Sequence, residues 1–181
     1  MQLHSTGLDG VMLIEPEVFG EHRGLFMETW NARTFAALGI EADFVQDNQS
    51  RSNRGVLRGI HYQLGAPQGK LVRVTAGCVF DVAVDLRRSS RAFGHWIGVE
   101  LSADNRRILW IPPGFGHGFL ALADGTDFLY KCTDFYAPEE ERCIVWNDPD
   151  LAITWPLGAS EPLLSSRDAS GVPLIAAQVY A

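Results

Sequence analysis

Short apolar runs separated by Gly and Pro recur along the whole chain. They cover residues 11–14, 25–30, 55–62, 70–75, 78–86, 95–101, 107–111 and 126–135. Runs of this length with turn residues between them predict an all-β sandwich or barrel. The stretch 79–86 shows the two-residue period of a strand. Phe80, Val82, Val84 and Leu86 form one face, and Asp81 and Asp85 share the other. One helix is predicted over residues 31–38. Asn31 caps its start, Phe35 and Leu38 are three apart, and Gly39 ends it. Glu139-Glu140-Glu141 reads as a solvated turn or short helix end. The last segment, with Pro156, Pro162 and Pro173, reads as an ordered tail wrapping the barrel. No repeat, low-complexity stretch or linker interrupts the pattern, so residues 1–181 are expected to form a single domain.

Composition narrows the classes of partner. Fifteen Lys and Arg against 22 Asp and Glu give a net charge of −7. A nucleic-acid partner needs a basic surface, so none is expected. A small anionic ligand is still allowed, because a few arginines focused in a cleft can hold a pyrophosphate. No run reaches the ~18 apolar residues of a membrane span. The start of the chain lacks a charged segment followed by an apolar one, so no signal peptide is expected. Cys78, Cys132 and Cys143 are odd in number and widely spaced. They predict reduced thiols in a cytoplasmic protein, with Cys78 and Cys132 as core fillers.

Two segments carry candidate chemistry. One is Gly55-Val56-Leu57-Arg58-Gly59-Ile60-His61-Tyr62-Gln63, followed by Lys70 and Gly77; the other is Ile111-Pro112-Pro113-Gly114-Phe115-Gly116-His117-Gly118-Phe119. Together they resemble the paired motifs of the cupin superfamily, G-x5-H-x-H-x3-4-E-x6-G and P-x-G-x2-H. That resemblance implies a jelly-roll β-barrel with a few short helices. Metal-binding cupins use three histidines and a glutamate. Here His61 and His117 remain, while Gln63 and Lys70 stand at the other two positions. An ammonium repels a cation, and two imidazoles with an amide are a poor divalent set, so no metal is expected there. A neutral His accepts a proton near pH 7, and a Lys holds the charge that builds on a carbonyl oxygen. The pair suits proton abstraction beside a ketone.

Read over nearly its full length, the chain resembles the dTDP-4-dehydrorhamnose 3,5-epimerase family. The matching blocks are Phe19-Gly20-Glu21-His22-Arg23-Gly24-Leu25-Phe26-Met27-Glu28, Gln46-Asp47-Asn48-Gln49-Ser50, the two segments already quoted, Gln68-Gly69-Lys70-Leu71-Val72 and Asp81-Val82-Ala83-Val84-Asp85-Leu86-Arg87. Leu109-Trp110-Ile111-Pro112, Tyr130-Lys131, Trp146-Asn147-Asp148-Pro149 and Ser166-Arg167-Asp168 complete them. The resemblance implies inversion of C3 and C5 of dTDP-4-dehydro-6-deoxy-D-glucose, giving dTDP-4-dehydro-L-rhamnose, with no cofactor. It implies His61 as general base, oriented by Asp168, and Lys70 as the group holding the enolate oxygen. Tyr136 returns the proton on the opposite face of the sugar. Arg23 and Arg58 hold the diphosphate. Phe19, Phe26, Glu28, Gln46 and Asn48 shape the nucleotide pocket, His117 lines the sugar pocket, and Arg167 belongs to the substrate-binding set. A dTDP-linked sugar is the expected partner. A homodimer is also implied, the N-terminal segment crossing to the second subunit. Asp85 is a candidate partner for one of the site cations. Glu21, Phe135 and Gly116 depart from the family's usual Asp, Tyr and Ala.

Taken alone, these residues leave other readings open. Arg23 and Arg58 also read as surface charges, Tyr136 as a packed aromatic, Phe19 and Phe26 as core or dimer contacts, and Asp168 as a solvated carboxylate. Strict alternation puts Arg58 opposite His61, and only a bulge or bend at Gly59 brings both to one site. Alternative functions are a mono-epimerase acting at C3 or C5 only, a ketoisomerase of an antibiotic deoxysugar pathway, and a non-enzymatic cupin-like sugar-binding protein. A metal-dependent cupin dioxygenase fits the residues least.

Overall fold

The structure is a computed structural model and describes residues 1–181. Its strands are β1 (Gln2–Ser5), β2 (Met12–Glu15), β3 (Val18–Glu21) and β4 (Gly24–Met27), followed by helix α1 (Ala32–Ala37). Then come β5 (Gln46–Ser52), β6 (Leu57–Gln63), β7 (Lys70–Ala76), β8 (Cys78–Asp85), β9 (Trp96–Ser102), β10 (Ile108–Ile111), β11 (Phe115–Ala121), β12 (Thr126–Cys132) and β13 (Glu141–Cys143). Helix α2 (Ser166–Ala169) and a 3-10 turn (Leu174–Ala176) lie in the tail. A six-stranded sheet, β1-β2-β10-β7-β12-β5, faces a five-stranded sheet, β13-β6-β11-β8-β9; β3 and β4 form a separate hairpin. All strand pairs within the sheets are antiparallel. This is the jelly-roll class the motifs imply.

Strand alternation sorts side chains into two compartments. On β7, Val72 and Val74 point between the sheets and meet Val79 and Ala83 of β8, Phe119 of β11 and Phe128 of β12. Lys70 shares their face, at the strand's start. The other face of the five-stranded sheet carries Ile60, Tyr62, Val82, Val84 and Leu86. The tail covers it with Leu151, Leu174 and Ala177. The tail is pinned there by the Tyr62 hydroxyl, which donates to the Gln178 carbonyl at 2.5 Å, and the Tyr180 hydroxyl, which donates to the Gln63 carbonyl at 2.7 Å. On the outside of the six-stranded sheet, Phe35 of α1 packs with Ile14, Ile40, Leu71, Ile108 and Trp110. Phe35 is fully buried, which contributes about 1.5–3 kcal/mol. The Asn31 side chain accepts from the backbone N–H of Arg33 and Thr34, the predicted helix cap.

Three elements differ from the pattern-based expectation. β5, Gln-Asp-Asn-Gln-Ser-Arg-Ser, contains no apolar residue, yet its alternate residues are shielded. Its inward face lines a polar cavity instead of a core. The apolar run at 25–30 is strand only to Met27, and its hairpin lies largely exposed. Glu141 begins β13 and is shielded, not solvated, because pairing with β6 draws it under the barrel mouth. Cys132 is a core residue, whereas Cys78 is only partly buried.

Candidate active site

A bulge in β6 assembles the site. His61 stands opposite His117 on β11, but Arg58 stands opposite Phe119. Three steps along β6 thus match two along β11, which turns Arg58 to the same side as His61. Gly59, with φ +115°, absorbs the extra residue. A Cβ there would lie 2.5 Å from the Cα of Gly118 and 2.6 Å from the His117 carbonyl oxygen, so the two strands approach too closely for any side chain. The Arg58 guanidinium donates to Ser52 Oγ at 3.2 Å, which aims it across the cavity floor.

A cavity of about 410 Å³ opens between the sheets. Gln46, Asn48, Arg58, His61, Lys70, His117, Tyr136, Arg167 and Asp168 all line it, as does Tyr130. Phe19, Arg23, Phe26 and Glu28 do not line the cavity of this one chain. Arg23 pairs with Glu21 on the exposed β3–β4 hairpin. Glu28 accepts from the Asn31 amide at 2.8 Å and the Thr34 hydroxyl at 2.9 Å, so its carboxylate tethers the start of α1. Asp85 is not a partner of any cavity cation: Arg87 and Ser90 satisfy it at 2.7 and 2.6 Å, closing the turn after β8.

His61 Nε2 lies 2.8 Å from Asp168 Oδ1. This is an ion-pair distance, with the ring N–H pointing off the line to the oxygen. Asp168 is held from three further directions. The Gly59 N–H donates to Oδ1 at 2.9 Å, the Ser165 hydroxyl to Oδ2 at 2.5 Å, and Ser165 caps α2 through the Asp168 N–H. Burial pushes the Asp168 carboxyl up. His61, the Gly59 N–H and the Ser165 hydroxyl outweigh it, and the net position lies well below the ordinary carboxylate range.

The second pair is His117 Nε2 with Asp81 Oδ2, 3.0 Å apart. Burial raises the Asp81 carboxyl, against the pull of His117 and the Lys70 charge. Desolvation lowers the Lys70 ammonium from its usual value, opposed by the charges of Cys132, Asp81 and Glu141. Gln63 is committed elsewhere. Its amide donates to the carbonyls of Ala66 and Phe135, and its Oε1 accepts from the Ala137 N–H. With Gln63 so engaged, an ammonium at Lys70 and His117 turned to Asp81, the cupin metal positions supply no donor set for a cation.

Sequence reasoning gave no role to three groups that line the cavity, Tyr130, Glu141 and Ser165, or to Asp81 buried behind His117. Asp81 was legible only as a polar residue in an apolar strand. Tyr130 of β12 faces inward beside Phe128, and burial raises its phenol. Glu141 accepts from the Tyr136 hydroxyl at 2.7 Å and from Arg167 at 2.5 Å. Ser165 precedes the block that was matched.

A barrel that places a His–carboxylate pair, a desolvated lysine and phenols around one polar cavity defines an enzyme of the isomerase class, built for moving protons on carbon. Residues 5–175 match the family described as dTDP-4-dehydrorhamnose 3,5-epimerase. A dTDP-4-dehydrorhamnose 3,5-epimerase of Pseudomonas aeruginosa is 59% identical over 172 residues, 94% of each chain. That of Methanothermobacter thermautotrophicus is 54% identical over 176 residues, 97% of this chain and 95% of the relative. The crystal structure of dTDP-6-deoxy-D-glucose-3,5-epimerase from Legionella pneumophila, in complex with dTDP-4-keto-L-rhamnose, superposes with a TM-score of 0.95. It is 51% identical and covers 98% of this chain and 94% of its own. The chain belongs to the dTDP-4-dehydrorhamnose 3,5-epimerase family.

Proposed function

We propose that this enzyme inverts C3 and C5 of dTDP-4-dehydro-6-deoxy-D-glucose, giving dTDP-4-dehydro-L-rhamnose, with no cofactor. The observation that carries the reading is the opening of His61 and Lys70, from facing sheets, into one cavity that also holds the half-buried phenol of Tyr130. His61 takes the proton from the carbon beside the C4 ketone. Lys70 holds the oxyanion that forms at C4. A group on the opposite wall then returns a proton to the other face, which inverts the carbon. Tyr130 suits this step: it stands on the sheet facing His61, and desolvation keeps its proton on. Tyr136, the phenol expected from the motif, is a second candidate. It stands at the exposed mouth, with its hydroxyl committed to Glu141.

Arg58 and Arg167 are suited to the diphosphate by their planar donors. Gln46, Asn48 and His117 complete the pocket. The exposed hairpin with Phe19, Arg23 and Phe26 fits a contribution, together with Glu28, to the site of a second subunit in a homodimer. Residues 1–181 act as one domain, the tail serving as the barrel's outer cover, in a cytoplasmic enzyme. No helix is long and apolar enough to cross a membrane.

Incubating the enzyme with dTDP-4-dehydro-6-deoxy-D-glucose and following the product by proton NMR tests the reading. The expected product has both carbons inverted and its ketone still at C4. Inversion at one carbon only makes it a mono-epimerase. A ketone at C3 makes it a ketoisomerase, and binding without turnover a sugar-binding protein.

A further inference from the structure

Cys143 on β13 is the direct cross-strand partner of His61 on β6. One ligand atom each from Cys143, His61 and Asp168 lies within 4.8 Å of the others. Tetrahedral zinc holds sulfur at about 2.3 Å and N or O at about 2.0–2.2 Å, setting ligand atoms roughly 3.3–3.7 Å apart. His61 Nε2 and Asp168 Oδ1 are closer than this already, at 2.8 Å. The sulfur has to close by only about 1 Å, within reach of a small side-chain adjustment.

A second observation points the same way. His61 Nε2 is buried, and a proton on it finds no aligned acceptor. A cation seated among nitrogen, oxygen and sulfur satisfies all three atoms at once. The outer support that metal sites need is in place, since the Gly59 N–H and the Ser165 hydroxyl fix the Asp168 carboxylate. Glu141, 3.9 Å from His61 Nδ1, adds negative charge on the far side of the ring.

We propose that His61, Cys143 and Asp168 form a binding site for a borderline divalent transition ion of the zinc type, whose occupancy switches the enzyme off. The ion is a competitor of catalysis and not a resident cofactor: with the metal on Nε2 the neutral ring carries its proton on Nδ1, which then has no lone pair for the substrate proton. The switching half rests on His61 being the base; the binding half does not. Burial, with the Asp168 and Glu141 carboxylates nearby, pushes the Cys143 thiol up to about 12, so without metal the sulfur stays protonated and inert. Zinc displaces that proton as it binds.

Metal-stripped enzyme titrated with Co²⁺ reads the site spectroscopically, while Zn²⁺ titration of turnover reads the switch. Wild-type protein is expected to develop a near-ultraviolet sulfur-to-cobalt band and the visible bands of a tetrahedral ion, saturating at one equivalent. Cys143→Ser is expected to turn over at the wild-type rate, to lack the sulfur band, and to need more than about 10-fold more Zn²⁺ for half inhibition. Loss of an outer-shell partner alone costs ~10–100-fold in affinity, and a ligand costs at least that. Cys143→Ala serves as the second variant and gives the same result. Absence of the sulfur band in wild type, or equal zinc sensitivity with and without Cys143, overturns the proposal. A band with undiminished turnover overturns the switch and also removes His61 from the role of base.

Discussion

His61 and His117 stand directly opposite one another on adjacent strands, and each meets an aspartate. The pairs share chemistry and differ in setting. The His61 side chain is 24% exposed to the cavity, whereas that of His117 is 9% exposed and its Asp81 fully buried. Asp168 comes from a tail helix, where backbone and hydroxyl donors hold it ionised. Asp81 comes from the middle of a core strand, where burial works against its charge. In the proposed mechanism the first pair exchanges protons with the ligand, whereas the second stabilises the interior beside Lys70. Residue identity does not distinguish them. The donors around each carboxylate do.

Exchanging the two roles by mutation is the strongest way to break this comparison. His61→Asn is expected to lower kcat by ~10²–10⁴, the scale of a positioned base, with little change in thermal stability. His117→Ala is expected to do the reverse. It leaves Asp81 buried without its partner, costing about 3–5 kcal/mol in denaturant unfolding, while kcat falls far less than in His61→Asn. Equal kinetic losses in the two variants would erase the distinction. Lys70→Ala should lower kcat by ~10²–10³ through lost oxyanion stabilisation, measured at saturating substrate.

A smaller expected effect separates the phenols. Tyr130→Phe lowers kcat by ~10², and Tyr136→Phe by roughly 10-fold or less. The opposite order would return the donor role to Tyr136.

The pH dependence follows from the same charges. Lys70 is lowered and Tyr130 raised, so the alkaline limb of kcat/KM belongs to the lysine and falls below 10.5, the ordinary lysine value. A limb that disappears only above that value would show the ammonium to be well solvated. The Asp168 carboxyl is depressed in the folded chain. Its contribution to stability is complete above the ordinary 3.8 and is lost as pH falls toward the folded value. Asp168→Asn should flatten that acid slope in equilibrium unfolding. Smallest is Ser165→Ala, which removes a cap and a donor to Asp168 and should cost about 1 kcal/mol, restored by Thr.

Much of this was legible in the chain. Short apolar runs between Gly and Pro located most barrel strands, and the motif blocks named His61, Lys70, Arg58 and Asp168, all of which reach one cavity. The alternation rule also marked Gly59 as the place where a bulge had to occur. What stayed hidden had physical reasons. β5 has no apolar face because its inward residues line the cavity, so hydrophobic periodicity passes over it. Glu141 reads as part of an acidic surface run, and only its pairing with β6 shields it. Tyr130 sits inside an apolar run, where no local pattern sets its hydroxyl apart. Phe19, Arg23, Phe26 and Glu28 lie away from the cavity of a single chain, which no local pattern in the sequence reveals.

Solvent labelling tests the central claim most directly. Turnover in D₂O, followed by NMR of the product, should place deuterium at both C3 and C5 with both centres inverted, and His61→Asn should abolish label at both carbons together. Label at one carbon only, or exchange at either carbon that persists without His61, would contradict a single base serving both inversions.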